Sequence, residues 1–162
     1  MGPQEKPAMY AELRNELLNG ARAAAEHAYV PYSEFPVGAA ALAADGSIHM
    51  GCNIENASYG LTICAERTAV SAAISQGHRQ IVAVAVSAPK VPLTTPCGAC
   101  RQFLNEFRPD ASDMLIVLDD HDSGEPVWLN DLLPQAFGPR NLHAAELTGD
   151  VSSMPRRDAH GG

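Results

Sequence analysis

The chain has 162 residues, the size of one domain on a prior of roughly 100–200 residues, and is long enough to bury a core without disulfide staples. Its 46% hydrophobic and 19% charged residues exclude an intrinsically disordered chain, and a formal charge of −8 speaks against a nucleic-acid partner. The opening MGPQEKPAMY has no apolar run, and nowhere is there the unbroken apolar stretch of about 18 residues that suggests a membrane span. Neither signal peptide nor membrane anchor is expected, and the expected location is the cytoplasm.

Tyr10, Leu13, Leu17, Ala21, Ala24 and Ala28 recur at helical spacing and predict a helix over about 8–28, stopped by Pro31. The loop 32–36 leads into a small apolar run, 37–44, that reads as a strand buried on both faces. Asp45-Gly46 turns it into a hairpin with residues 47–53. A second helix is predicted over 64–76 with Gly77 at its C-terminal cap, then a central strand over 81–87. Pro89, Pro92 and Pro96 mark a loop that ends in a third helix over 97–107. Met114 to Leu118 reads as another strand, followed by a turn at 122–124, a short strand at 126–129 and a helical 130–133. Beyond Leu147 the composition turns to Gly, Ser, Pro and charge, so a single domain over 1–147 and a disordered tail over 148–162 are expected. Helices interleaved with strands predict an α/β fold with helices on both faces of the sheet.

Four cysteines without a secretion signal point to metal or catalytic chemistry, because cytosolic thiols stay reduced. Cys64-Ala65-Glu66 opens one predicted helix and Pro96-Cys97-Gly98-Ala99-Cys100 opens another, so three thiols and a carboxylate converge from two helix N-termini. Cys64, Cys97 and Cys100 supply three ligands for a tetrahedral Zn²⁺ whose fourth position is left to water. Glu66 stands in the first turn, where a long side chain folds back over the helix end without ligating the metal. Three thiolates leave excess negative charge, which two helix N-termini of roughly +0.5 charge each and Arg67, three residues after Cys64, are placed to offset. A zinc of this kind with a non-ligand Glu ahead of P-C-x-x-C is the signature of zinc deaminases.

Other readings stand beside this one. Cys52 permits a closed four-thiol structural site, although that leaves Glu66 without purpose; otherwise Cys52 is a small buried apolar residue. His49 and His78 read as surface or turn residues, His121, His143 and His160 as solvated loop or tail residues. Arg101 reads equally as an assistant to Arg67 or as half of a surface pair.

Beyond the zinc motifs, the chain resembles the small homotetrameric cytidine deaminases over about residues 10–145. The resemblance rests on Tyr32-Ser33-Glu34-Phe35-Pro36-Val37-Gly38, on the segment from Gly51 to Gly60 (GCNIENASYG), and on Cys64-Ala65-Glu66-Arg67-Thr68-Ala69. Pro96-Cys97-Gly98-Ala99-Cys100-Arg101-Gln102 and Leu132-Leu133-Pro134 with Phe137-Gly138-Pro139 complete it in family order. It implies a three-layer α/β/α sandwich on a mixed sheet, one Zn²⁺ per chain, and hydrolytic deamination of cytidine and 2′-deoxycytidine to uridine and 2′-deoxyuridine in pyrimidine salvage. Glu66 would act as both base and acid, with the carbonyl of Thr95 and the N–H of Ala65 near the amine and O2. Asn53 and Glu55 would hold the ribose, and a carboxylate there favours nucleosides over nucleotides. Phe35 and Phe137 would pack on base and sugar, with Phe137 and Tyr59 reaching sites of neighbouring subunits in a homotetramer.

An aminoacyl-nucleoside antibiotic deaminase shares the zinc halves, but the Phe137-Gly138-Pro139 end argues against it. A polynucleotide-editing deaminase needs a basic stripe, and Arg156-Arg157 lies in the tail. A non-catalytic zinc-stabilised binding module needs the cysteines and not Glu66.

Overall fold

The computed structural model describes residues 5–120 and 126–144, with side chains from Tyr10 to Asp120 and from Pro126 to Leu142. The expected turn at 122–124 and the expected disordered tail lie outside the described residues. Helix α1 (Glu5–Ala25) precedes the hairpin of β1 (Gly38–Ala43) and β2 (Ile48–Cys52); a 3₁₀ turn (Tyr59–Leu61) then leads to α2 (Ala65–Ser75). Strand β3 (Ile81–Ser87), α3 (Gly98–Glu106), β4 (Leu115–Leu118), β5 (Val127–Trp128), α4 (Leu129–Leu132) and α5 (Pro139–Ala144) follow.

The five strands form one sheet in the order β2-β1-β3-β4-β5. Pairing is antiparallel throughout except for β3 and β4, which α3 connects in parallel, so the sheet is mixed. Strand parity sorts the core into two layers. Ala39, Ala41 and Ala43 of β1 face α2 and α3 with Val84, Val86 and Ile116, packing on Ala69, Val70, Ala73 and Leu104. Ala40, Leu42, Ala83, Ala85, Leu115 and Val117 face the other way and pack on Leu17, Leu18 and Ala21 of α1. The expected three-layer α/β/α sandwich is what forms, and β1 is buried along its whole length as its alanines predict.

The helices lie close to the sheet because small residues let them. A Cβ on Gly51 of β2 would come 2.7 Å from Thr68 C and closer still to Ala69 N in α2. Gly51 therefore fixes the phase of β2, and His49, two residues away, must face the same side. His49 is only 7% exposed, against the expectation of a surface residue; its Nε2 lies 2.9 Å from Ser47 Oγ and its ring 4.6 Å from that of His78. Met50, the apolar residue between them, points to the α1 side and is 54% exposed.

Helix α1 ends earlier than its apolar spacing predicts. Past Ala25 the chain straightens so that Tyr29 N donates to Asn53 O at 3.0 Å and Tyr29 O accepts from Glu55 N at 2.8 Å. Helix α5 was not anticipated; it starts at Pro139, where a missing N–H costs nothing, and Asn141 Oδ1 accepts from Gly138 N at 2.8 Å. No helix among the described residues is long and apolar enough to cross a membrane.

Candidate active site

Sheet register decides where the site lies. Gly38, the first residue of β1, pairs with Cys52, the last of β2, and with Ser87, the last of β3. The segments 32–37, 53–64 and 88–97 therefore meet at one end of the sheet, where β3 is antiparallel to β1 on one side and parallel to β4 on the other. Crevices beyond the carboxyl ends of strands at such a switch are where α/β sheets bind ligands.

Helices α2 and α3 begin at that same end, each with a cysteine at the N-cap. Cys64 (φ −73°, ψ 153°) and Cys97 (φ −67°, ψ 165°) have the extended backbone of a cap, yet neither makes a side-chain cap hydrogen bond. Ser, Thr, Asp and Asn are the usual residues there because they satisfy the free N–H groups. Here the thiols turn instead to Cys100, and the three Sγ atoms lie within 4.8 Å of one another. Cys52 does not join them. It is half-buried rather than buried, and its thiol donates to His27 O at 3.4 Å. It shares the parity of Met50, on the side that α1 would cover, and α1 has ended by then.

The thiols have partners suited to anions. Arg67 Nη2 lies 3.6 Å from Cys64 Sγ and 3.2 Å from Thr62 O, while Arg67 Nε, buried, has no hydrogen-bond partner among the described residues. A hydrogen bond from Cys100, and after it Arg67, outweigh burial and hold the Cys64 thiol below its ordinary value, favouring its thiolate form. The donor to that thiolate, Cys100, is pushed upward by the same hydrogen bond and by burial. Three sulfurs at tetrahedral reach, two helix N-termini and a guanidinium aimed at them form a donor set that fits a Zn²⁺ with a position to spare.

Glu66 stands beside this cluster in the first turn of α2 and is only 4% exposed. Burial pushes its pKa up, the main influence, and the negative charge of Cys64 adds to it. A carboxyl whose charged form is disfavoured by desolvation accepts a proton more readily and can return it. Glu66, Cys64 and Cys97 line a cavity of about 220 Å³ together with Phe35, Asn53, Ala65 and Thr95. Ala65 is the first residue of α2, so its N–H has no carbonyl one turn back to bond. The cavity wall thus gathers seven of the residues singled out from sequence, and the thiol cluster adds Cys100.

Glu55 and Tyr59 line an adjoining hollow with Tyr32 and Ser33, joined to the first through Thr62. Glu55 Oε2 accepts from Tyr32 N at 2.9 Å and Ser33 N at 3.2 Å, which holds the turn before Phe35. Hydrogen bonds from Ser33, then from these backbone N–H groups, keep the Glu55 pKa below the ordinary carboxylate value. Asn53 serves the same segment: its Oδ1 accepts from Val37 N and its Nδ2 donates to Phe35 O, both at 2.9 Å. One N–H and one lone pair of the amide are left for a ligand. Tyr59 is 75% exposed, its ring edge-on to Tyr32 at 5.8 Å. Phe137 is 61% exposed and does not line the cavity of its own chain; Gln102 and Asn105 side chains of α3 donate to its carbonyl at 3.0 and 3.1 Å.

Arg101 departs from both of the readings that the sequence leaves open. It neither joins Arg67 nor pairs on the surface: Nε donates to Pro96 O at 2.7 Å, Nη1 to Leu132 O at 2.9 Å and Nη2 to Thr95 Oγ1 at 3.1 Å.

The fold and the thiol cluster define an α/β protein with a metal-binding cavity that has an acid–base group in its wall. Residues 11–116 match the family model described as the cytidine and deoxycytidylate deaminase zinc-binding region. The cytidine deaminase of Halalkalibacterium halodurans is 47% identical over 131 residues, 80% of this chain and 98% of that protein. That of Mycobacterium tuberculosis is 49% identical over 128 residues, 79% of this chain and 92% of its own. A crystal structure of the M. tuberculosis enzyme superposes with a TM-score of 0.67 at 47% identity, covering 76% of this chain and 96% of the other. A crystal structure of the Burkholderia pseudomallei cytidine deaminase gives 0.69 at 44% identity, covering 76% and 98%. The chain belongs to the cytidine and deoxycytidylate deaminase family, and zinc is its metal.

Proposed function

We propose that the protein hydrolyses the exocyclic amine of cytidine and 2′-deoxycytidine, yielding uridine or 2′-deoxyuridine and ammonia, in pyrimidine salvage in the cytoplasm. The observation that carries this is the clustering of the Cys64, Cys97 and Cys100 thiols, two of which share the wall of one cavity with the buried carboxyl of Glu66. Cys64, Cys97 and Cys100 would hold the zinc, with Arg67 offsetting their charge, and the metal when bound acidifies water for attack at C4. Glu66 takes a proton from that water and passes it to N3, then takes the proton of the hydroxyl formed at C4 and passes it to the amine, which leaves as ammonia, so a single carboxyl is base and acid in turn. The Ala65 N–H and the Thr95 carbonyl orient the base through O2 and the amine, and Phe35 packs on it. Asn53 and Glu55 hold the ribose, where the Glu55 carboxylate disfavours a 5′-phosphate.

The protein works as a homotetramer with sites shared between subunits. Support comes from an apolar surface on the segments beside the cavity: Tyr29, Ile54 and Ile63, linked by β-bridges, with Tyr59 and Leu61 of the 3₁₀ turn, are all exposed. A contiguous patch of this kind marks an interaction site. Phe137, presented outward, is the residue offered to a neighbouring cavity. Incubation of the zinc-loaded protein with cytidine, followed by near-ultraviolet absorbance and ammonia release, tests the reading; intact cytidine after prolonged incubation would sink it.

A further inference from the structure

Thr94, Thr95 and Cys97 form one wall of the cavity, at the end of a ten-residue segment with no regular structure, between β3 and α3. Such a segment places a carbonyl reproducibly only if it is anchored on both sides of it. The first anchor is Leu93, whose φ of 56° is a conformation that L side chains rarely adopt and whose N–H donates to Asp119 O, just beyond β4, at 2.9 Å. The second is Arg101. Its guanidinium reaches Thr95 Oγ1 and Pro96 O, on the two sides of the Thr95–Pro96 peptide, and ties both to Leu132 O at the end of α4. Leu132 O lies in the last turn of a helix, where carbonyls lack helical partners. All three acceptors are uncharged, so the charge of Arg101 is not spent on an ion pair. What the three bonds use is the planar fork, which holds several acceptors in fixed directions where an ammonium is a single point.

We propose that Arg101 is a positioning residue of the active site: it fixes the Thr95 carbonyl and the approach to Cys97, and through them the fit to the amine-bearing substrate and adduct. The inference rests on the deaminase reading above. Thr95 O would accept from the amine, which is present in cytidine and in the adduct formed at C4 but replaced by a carbonyl in uridine. Loss of Arg101 therefore weakens binding of the amine-bearing substrate and adduct more than binding of the product.

The test compares zinc-loaded wild type, R101Q, R101K and T95V by their affinities for two probes, cytidine, which carries the amine and is read with E66Q added to each protein so that it persists, and uridine, which lacks it, alongside zinc content. Affinities are read rather than rates because they do not depend on the fraction of active protein. R101Q is expected to bind cytidine about tenfold or more weakly, with uridine affinity changed by less than about threefold and zinc per chain unchanged. R101K recovers part of the loss. T95V, nearly isosteric, reproduces part of it and adds nothing to R101Q. If R101Q does not fold, R101K and T95V carry the same comparison, each showing an intermediate loss for cytidine alone. Equal weakening of both probes, or unchanged affinities with only a lowered melting temperature, would overturn the proposal. Wild type that binds neither probe overturns the deaminase reading itself, an outcome distinct from an R101Q that binds both as wild type does.

Discussion

Arg67 Nη2 lies 3.6 Å from Cys64 Sγ, one turn along α2, and the same nitrogen is steadied by Thr62 O at 3.2 Å. The guanidinium is thus held against the cluster by the helix on one side and the preceding strand bridge on the other. Partners of this kind usually govern metal affinity by about 10–100-fold. R67Q is expected to weaken zinc binding by that factor, measured by chelator competition, while the fold, seen by circular dichroism, is retained. Unchanged affinity would mean that the helix N-termini alone balance the thiolates.

Glu55 gives a pH dependence with a definite sign. Its folded pKa is depressed by hydrogen bonds from Ser33 and from the Tyr32 and Ser33 N–H groups. A depressed carboxyl contributes stability that is complete above its unfolded value of about 4.3 and is lost as pH falls through the lower folded value. The melting temperature of wild type should exceed that of E55Q at neutral pH, and the gap should close only below about pH 4. A gap that closes between pH 7 and 5 would contradict the assignment. E55Q should also raise KM for cytidine more than it lowers kcat.

Gly51 tests the packing that sets the site. A side chain there must push β2 away from Thr68 and Ala69 of α2, the helix that carries Cys64 and Glu66. G51A is expected to cost about 1–3 kcal/mol, read from denaturant unfolding. A neutral result would show that α2 shifts freely on the sheet.

These two glycine and carboxylate positions also show what the sequence makes legible. The clustering of Cys64, Cys97 and Cys100 beside Glu66 is legible because these residues sit at helix starts that Pro96 and the flanking periodicity mark on their own. The burial of β1 is legible because alanines and a single leucine fill it after Gly38. His49 was misjudged because polarity suggested an outward side chain, whereas the contact of Gly51 with α2 sets the parity of β2 and turns His49 in and Met50 out. Cys52 was placed too deep for the related reason that nothing in the sequence says where α1 stops relative to β2. Helix α5 was overlooked because Phe137-Gly138-Pro139 reads as a terminator, though proline is also at home in a first helical turn. Arg101 was beyond reach of spacing alone, since Leu132 is distant in sequence and comes close only through the turn at α4.

Phe137 and Tyr59 test the shared site. Both are exposed in the single chain, and Gln102 and Asn105 hold the Phe137 carbonyl from α3, the helix of Cys100. Light scattering should give four chains per particle. F137A should lower kcat/KM about tenfold or more with unchanged zinc content, as expected for loss of a large buried aromatic contact. A stable monomer with full activity would contradict the reading of both residues.

The most direct measurement sets zinc-loaded wild type beside E66Q, following the absorbance of cytidine and the zinc content of both samples. The substitution keeps the shape and burial of Glu66 and removes only its ability to carry a proton. The account predicts about one zinc per chain in each protein and turnover reduced by about 10²–10⁴-fold or more in E66Q. Turnover by E66Q at the wild-type rate, or a fully zinc-loaded wild type that leaves cytidine intact, would contradict it.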